Sequence, residues 1–541
     1  MTRVHPKTNI GVYEADVRAT LTRLSDTDIV RRIWRDDYTV WKPEPTEITN
    51  RLGWLVVNDL MIEQVPMLQS FAQDVKNTGF RHVVLLGMGG SSLSAVVLGR
   101  VFGSGNQYPE LIVLDSTLPE SVQAVVQALD PALTLFLVSS KSGTTTEPLI
   151  LHAYFRNLLE KVMGKEKVGQ NFIAITDAGT PLATLAQEKE FRQIFLNPPD
   201  IGGRYSVLSY FGLVPAALIG IDIAELLEQA NRMRSFCDSN VPHDENPGLW
   251  LGACMGTLAL KGHDKLSLVT SPSIGTFGLW IEQLNAESTG KDGKGIIPIA
   301  NEPLMQPIFY GNDRLFVYLR IEGDRNQTPD TTIDHLISSG HPVVVLEMRN
   351  KYDIGAEFFR WEFATAVAGA ILGINPFDQP DVQKAKDTTE SLLQEYSTSG
   401  RLPMLETTGS LSDLLKNSGR GRYLAIMAYL HQTSEMDKLL SELRREVVER
   451  YHIATTLGYG PRFLHSTGQL YKGGQNTGLF LQLSANHEKD LPIPGKPYSF
   501  GTVADAQALG DFRALEAAGR LVVRMNLPNS KASVIEALVQ I

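Results

Sequence analysis

Cysteine is almost absent: Cys237 and Cys254 are the only two in 541 residues. Neither a disulfide framework nor a cysteine metal cluster can be built from them. No run of about eighteen apolar residues occurs to span a bilayer. The first stretch, "MTRVHPKTNIGVYEAD", lacks the apolar segment of a signal peptide, so the expected compartment is cytoplasmic. Positive charge is also scarce. The 50 Lys and Arg stand against 60 Asp and Glu, a formal net charge of -10, which favours neither nucleic acid nor an anionic membrane as a partner. Low-complexity tracts and short-period repeats are missing as well.

What remains is ordinary globular composition, 43% hydrophobic and 20% charged, in a chain long enough for roughly two to four domains. Residues 1–76 are expected to form an N-terminal helical arm, because helix-period apolar residues and many charges fill 14–76. From residue 82 the pattern changes to short apolar runs alternating with amphipathic helices: "HVVLLG", "LIVLDS", "LTLFLVSS", "NFIAITD" and "RQIFLN". Apolar runs of four to eight residues with helices between them indicate strands buried on both faces of a parallel sheet. Residues 205–262 are mainly helical, and the alternation then returns with "KLSLVTS", "RLFVYLRI" and "PVVVLEM". After a Gly-, Ser-, Thr- and Pro-rich stretch at 397–410 it occurs a third time, in "RYLAIMAYL", "TGLFLQLS" and "RLVVRMNL". The expected fold is α/β, with two doubly wound, mostly parallel domains at 77–260 and 261–396 and a smaller C-terminal α/β unit at 397–541.

Two strand-to-helix turns carry the chemistry. In "GMGGSSLS" (87–94), Gly89 and Gly90 let the backbone approach a ligand closely, and Ser91 and Ser92 add hydroxyls. In "SSKSGTTTE" (139–147), Ser140, Ser142, Thr144 and Thr145 supply hydroxyls, and Lys141 can add charge. Unpaired N–H groups at a helix start bind phosphate, although Ser and Thr are also the commonest plain helix caps. Neither turn is a nucleotide motif: position 92 is Ser, which breaks a G-x-G-x-x-G, and no G-x-x-x-x-G-K-[ST] exists. Two donor-rich turns at the carboxyl edge of one parallel sheet point to a phosphomonoester without a nucleotide. A third segment, "WIEQLNAESTGKDGKG" (280–295), places Gln283 and Glu287 on one helix face. Read alone, Glu287 is better taken as a solvated carboxylate pairing with Lys291. A fourth, "GGRYSVLS" (202–209), sets Arg204 behind two glycines.

The ordered set "GMGGSS", "SSKSGTTTE", "GGRYS", "EQLNAESTGK" and "NPFDQPDVQKAK" resembles the glucose-6-phosphate isomerases, built from two sugar-isomerase (SIS) domains, over about residues 40–390. The resemblance implies that Ser91, Ser140, Ser142 and Thr145 hold a sugar phosphate and that Arg204 and Gln283 line the reacting end. It makes Glu287 the catalytic base and Lys386 a lysine arriving from the end of the second domain. It implies reversible aldose–ketose isomerisation of glucose 6-phosphate and fructose 6-phosphate, a step of glycolysis and gluconeogenesis. Neither a metal nor a redox cofactor is implied, and the expected assembly is a homodimer with its site near the subunit interface. The chemistry suits these residue types, since proton movement between C2 and C1 needs a carboxylate base and a fixed cation at the enediolate oxygen.

The sequence departs from the family in two places. The family's ring-opening histidine is expected twenty to thirty residues after the base, yet residues 288–334 contain none. His335 or Lys386 is the expected substitute, and His341 is expected to be structural. The last 140 residues or so, including "GYGPRFLHSTGQLYKGGQNTGLFLQ" (458–482) with His465 and Lys472, look like the C-terminal part of the isomerase half of transaldolase–isomerase fusions. A packing and assembly role is expected there. Two other readings stay open: a non-catalytic SIS regulator that binds sugar phosphates, and an isomerase that also accepts mannose 6-phosphate.

Overall fold

The apolar runs become strands because their side chains find cover on both faces. The computed structural model describes residues 8–529, so residues 1–7 of the arm and 530–541 of the C-terminal unit lie outside the described residues. The first sheet holds β1 (His82–Gly87), β2 (Glu110–Leu114), β3 (Thr134–Ser139), β4 (Phe172–Asp177) and β5 (Gln193–Asn197) in the order β2-β1-β3-β4-β5. The second contains β6 (Lys265–Thr270), β7 (Ile297–Ile299), β8 (Arg314–Ile321) and β9 (Val343–Met348), ordered β7-β6-β8-β9. The third contains β10 (Tyr423–Tyr429), β11 (Ala454–Tyr459), β12 (Gly478–Ala485) and β13 (Leu521–Leu527), ordered β11-β10-β12-β13. The pairings among these thirteen strands are all parallel.

One face of the first sheet (Val83, Leu85, Leu135, Leu137) and one of the second (Leu266, Leu315, Val317) share a single core with the helical arm and the Ile354–Leu372 helix. The other face of the first sheet, including Val84, Phe136 and Phe172, is covered by the Thr146–Met163 helix. It is also covered by Leu392 and Leu393 of the Gln383–Ser399 helix and by Phe500, Val503 and Leu509 of the Phe500–Ala517 helix. The third unit therefore supplies part of the first domain's core. It also packs on the second: Ile297 and Ile299 of β7 share a cluster with Tyr423, Phe463, Leu470 and Tyr471. The Gln383–Ser399 helix runs three residues into the stretch expected as a linker from 397.

Charges fasten the third unit to the first domain. Arg462 grips Asp115 through two hydrogen bonds of 2.6 and 2.9 Å. His487 lies between Glu120 at 3.2 Å and Asp505 at 3.4 Å. Burial disfavours its charged ring, but the two carboxylates outweigh that and raise His487 to about 10. With an unfolded value near ~6.5, this proton is held more tightly in the folded chain. The stabilisation is complete below that value and is lost as pH rises through about 10. The urea midpoint should therefore fall between about pH 6.5 and pH 10 more steeply than in His487→Gln. Equal slopes for the two proteins would contradict this role.

Candidate functional site

β1 and β3 are adjacent, with Gly87 paired to Ser139, so both turns leave from one carboxyl edge. In the second turn, buried Ser140 donates its hydroxyl to Thr145 Oγ1 at 3.0 Å, and Thr144 donates to Ser142 Oγ at 3.0 Å. Thr145 is the N-cap residue of the Thr146–Met163 helix, yet its side chain makes no capping bond. Thr180 and Ser209, by contrast, cap their own helices. The start of the Thr146–Met163 helix thus keeps its positive end uncapped beside four hydroxyls, the arrangement an anion needs. Lys141 is engaged elsewhere, by the Asp177 carboxylate and by the Pro199 carbonyl at 3.0 Å.

The glycines of the first turn let other parts of the chain pack closely against it. A Cβ on Gly90 would lie 2.1 Å from the Gly203 carbonyl oxygen, and one on Gly89 would lie 2.5 Å from that of His465. Gly89 also has a positive φ of 53°, a conformation that favours glycine. The two positions let three segments meet at backbone distance. Ser91 is buried in the same turn, where its carbonyl accepts the Ser139 hydroxyl at 2.8 Å.

Arg204 emerges from the second glycine turn completely tied down. Its guanidinium donates to Ser288 Oγ (2.7 Å), Gln379 Oε1 (2.9 Å) and the carbonyls of Pro376 (2.7 Å) and Asp378 (2.9 Å). One terminal nitrogen also stands 3.4 Å from Glu287 Oε1. Holding a planar fork in one place costs little further entropy once the acceptors are fixed.

Glu287 lies in the last turn of the Phe277–Thr289 helix. From Trp280 to Gly290 it is the one residue that is not buried, and its side chain is 14% exposed. Gln283 Nε2 donates to its Oε2 at 3.2 Å. Lys291 does not pair with it: the ammonium donates to the carbonyl and carboxylate of Asp378 at 2.5 and 2.6 Å. Burial and neighbouring Arg204 push Lys291 down to about 8. Glu282 looks the other way, into the third unit. Burial pushes its carboxyl up to about 8 against the opposing pull of Arg444 and Arg462.

The third unit completes the cluster with a residue that was not expected in the site. The short turn Arg462–His465 brings the His465 carbonyl to Gln283 Nε2 at 2.8 Å and its ring Nε2 to Glu147 Oε1 at 2.9 Å. Glu147 is buried at the start of the helix that carries the phosphate-type turn. Burial alone would raise its carboxyl, but His465 and, more distantly, Lys386 hold it below the usual carboxylate range. Gln507 Nε2 donates to the same carboxylate oxygen at 2.7 Å, and Thr117 donates to Gln507 Oε1 at 2.7 Å.

His335, the expected ring-opening group, is not brought here. It lies exposed on the Gln327–Ser338 helix, whose buried residues Ile333 and Leu336 pack against β8 and β9. The residues that hold that helix to its own sheet keep it off the cluster. Lys386 is exposed on the Gln383–Ser399 helix, within electrostatic reach of Glu147.

The family model described as phosphoglucose isomerase matches residues 66–312, a span that contains both turns, Arg204, Gln283 and Glu287. A glucose-6-phosphate isomerase of Staphylococcus saprophyticus is 31% identical over 398 residues, covering 66% of this chain and 89% of its own length. The chain belongs to the phosphoglucose isomerase family. A second member, the glucose-6-phosphate isomerase of Bacillus cytotoxicus, is also 31% identical and covers 63% of this chain and 86% of itself. Among solved structures, a hypothetical protein from Thermus thermophilus shares the fold with a TM-score of 0.61 at 23% identity, over 72% of this chain and 99% of its own. The glucose-6-phosphate isomerase of Chlamydia trachomatis does so with a TM-score of 0.54 at 19% identity, over 69% and 78%. About a third of this phosphoglucose isomerase family chain lies outside the match to its Staphylococcus relative.

Proposed function

We propose that this isomerase interconverts glucose 6-phosphate and fructose 6-phosphate by moving a proton between C2 and C1 through an enediolate. The observation that carries this reading is the Glu287 carboxylate. It is left partly open where its neighbours are buried, and it is held from two sides by Gln283 and Arg204. The curated relatives, each named a glucose-6-phosphate isomerase, support the choice of substrate.

The phosphate binds at Ser140, Ser142, Thr144, Thr145 and the uncapped helix start, with Ser91 in the neighbouring turn. His465 opens the sugar ring, giving a proton to the ring oxygen as the C1 or C2 hydroxyl loses one. Its Nε2 is taken by Glu147, so Nδ1 is the nitrogen left for the substrate. Glu147 is then a positioning residue that fixes the imidazole. Glu287 removes the proton from one carbon of the open chain and returns it to the next. Arg204, whose N–H groups are engaged within the protein, opposes through its fixed charge the negative charge that develops on the enediolate oxygen. Gln283 Oε1 is buried and takes no hydrogen bond among the described residues, which leaves it to accept a substrate hydroxyl. Lys386 supplies positive charge within electrostatic reach of Glu147.

A coupled assay for conversion of fructose 6-phosphate to glucose 6-phosphate tests the activity, and sugar-phosphate binding without turnover would overturn it. The phosphate assignment has its own test. Ser140→Ala and Thr145→Ala should raise KM much more than they lower kcat, because phosphate contacts change little between ground and transition states. Unchanged KM in both variants would remove the phosphate from this turn.

A further inference from the structure

We infer that the C-terminal unit takes the place of a second subunit: each chain builds one complete isomerase site by itself, and catalysis does not require two chains to pair. The inference rests on the reading of Glu287 and His465 given above.

This chain's own third unit reaches the site. His465 bridges the first domain and the second, with its ring on Glu147 and its carbonyl on Gln283. Gln469, four residues on, donates to the Gly290 carbonyl at 2.9 Å, and its side-chain oxygen accepts the Asp381 amide at 2.9 Å. The Gly293 amide donates to the Gly473 carbonyl at 3.0 Å. The loop after Glu287 and the segment after β11 are therefore joined backbone to backbone.

The packing is as close as the hydrogen bonding. A Cβ on Gly290 would lie 2.3 Å from Leu470 Cα, and one on Gly89 would lie 2.5 Å from the His465 carbonyl oxygen. Both glycines give up side-chain volume so that the third unit can sit against the site, and a loop from another chain would have to displace it there. The third unit cannot be a loosely attached appendage either. Phe500, Val503 and Leu509 complete the first domain's core, and Leu470 and Tyr471 share a cluster with β7 of the second. Burial of large apolar side chains on both sides holds the His465 loop through the chain's own core.

The test is complementation between two full-length variants, Glu287→Gln and His465→Gln, each measured alone and then co-expressed so that subunits exchange. With each site built from one chain, every site in the mixture carries one lesion, and activity should stay at the level of the single variants. If sites were shared across a symmetric pair, half the pairs would be mixed and each would contain one intact site. Activity would then recover to at most about a quarter of wild type, which would overturn the inference. Near-normal activity of either variant alone would instead remove that residue from the chemistry, a different failure. Wild-type specific activity followed by dilution, with sedimentation to count chains, decides the inference independently of both residues. Unchanged turnover per chain in single chains supports it. Turnover lost in step with dissociation overturns it.

Discussion

Glu287→Gln is expected to fold, to bind sugar phosphate and to lose turnover, with kcat lower by ~10²–10⁴, the usual share of a positioned base. Glutamine keeps the shape and one acceptor oxygen, enough for Gln283 or Arg204 but not for both, and it lacks the basic lone pair that takes a proton from carbon. Arg204 keeps its four other acceptors, so loss of the 3.4 Å ion pair does not leave a buried cation bare. KM should move little. Turnover close to wild type would make Glu287 a bystander carboxylate. A variant that fails to fold is replaced by Glu287→Asp, which keeps the base but withdraws it by one methylene. That change should also lower kcat, by less.

His465→Gln carries the second large effect, and it should depend on the substrate. The glutamine amide can still donate to Glu147, and Gln507 continues to do so, so the buried carboxylate escapes the ~1–3 kcal/mol penalty of a lost partner. No group remains to shuttle a proton to the ring oxygen. Turnover of the hexose phosphates should fall by ~10²–10⁴, whereas a tetrose 4-phosphate, which has no free hydroxyl to close a five- or six-membered ring, should keep most of its rate. Equal losses on both substrates would place His465 in the proton transfer itself or in the architecture. No loss on either would remove it from the mechanism.

Much of this arrangement was legible in the sequence because it is local. "HVVLLG", "LTLFLVSS" and "RLFVYLRI" are unbroken apolar runs, and each is a strand within a residue or so. The two strands that no apolar run marks are edge strands. β7 is "IPI", whose proline cannot donate to a ladder and is tolerated only at an edge. β11 is "ATTLGY", where threonine and glycine interrupt the apolar run. Gln283 and Glu287 could be paired by helix spacing alone. That Lys291 would turn to Asp378 instead of Glu287 was not visible, because Asp378 is far along the chain.

The role of His465 was the least accessible. Its segment is conspicuously rich in glycine and hydroxyls, but its partner Glu147 is 318 positions away. No periodicity or spacing rule connects residues so distant. At Gly89 the missing side chain makes way for the His465 backbone, a contact across more than 370 positions. The contacts of His465, with Glu147 and with Gly89, have one cause: the third unit buries its helices in the cores of the other two, and long-range burial of that kind leaves no local mark in the sequence.

The most direct test of an enediolate made by Glu287 is isotope uptake from solvent. Fructose 6-phosphate is turned over in D₂O and the glucose 6-phosphate is read for deuterium at C2. Deuterium at C2 in a measurable fraction of wild-type turnovers, falling in parallel with kcat in Glu287→Gln, is the predicted result. Full turnover with hydrogen alone at C2, or undiminished exchange in Glu287→Gln, would contradict it.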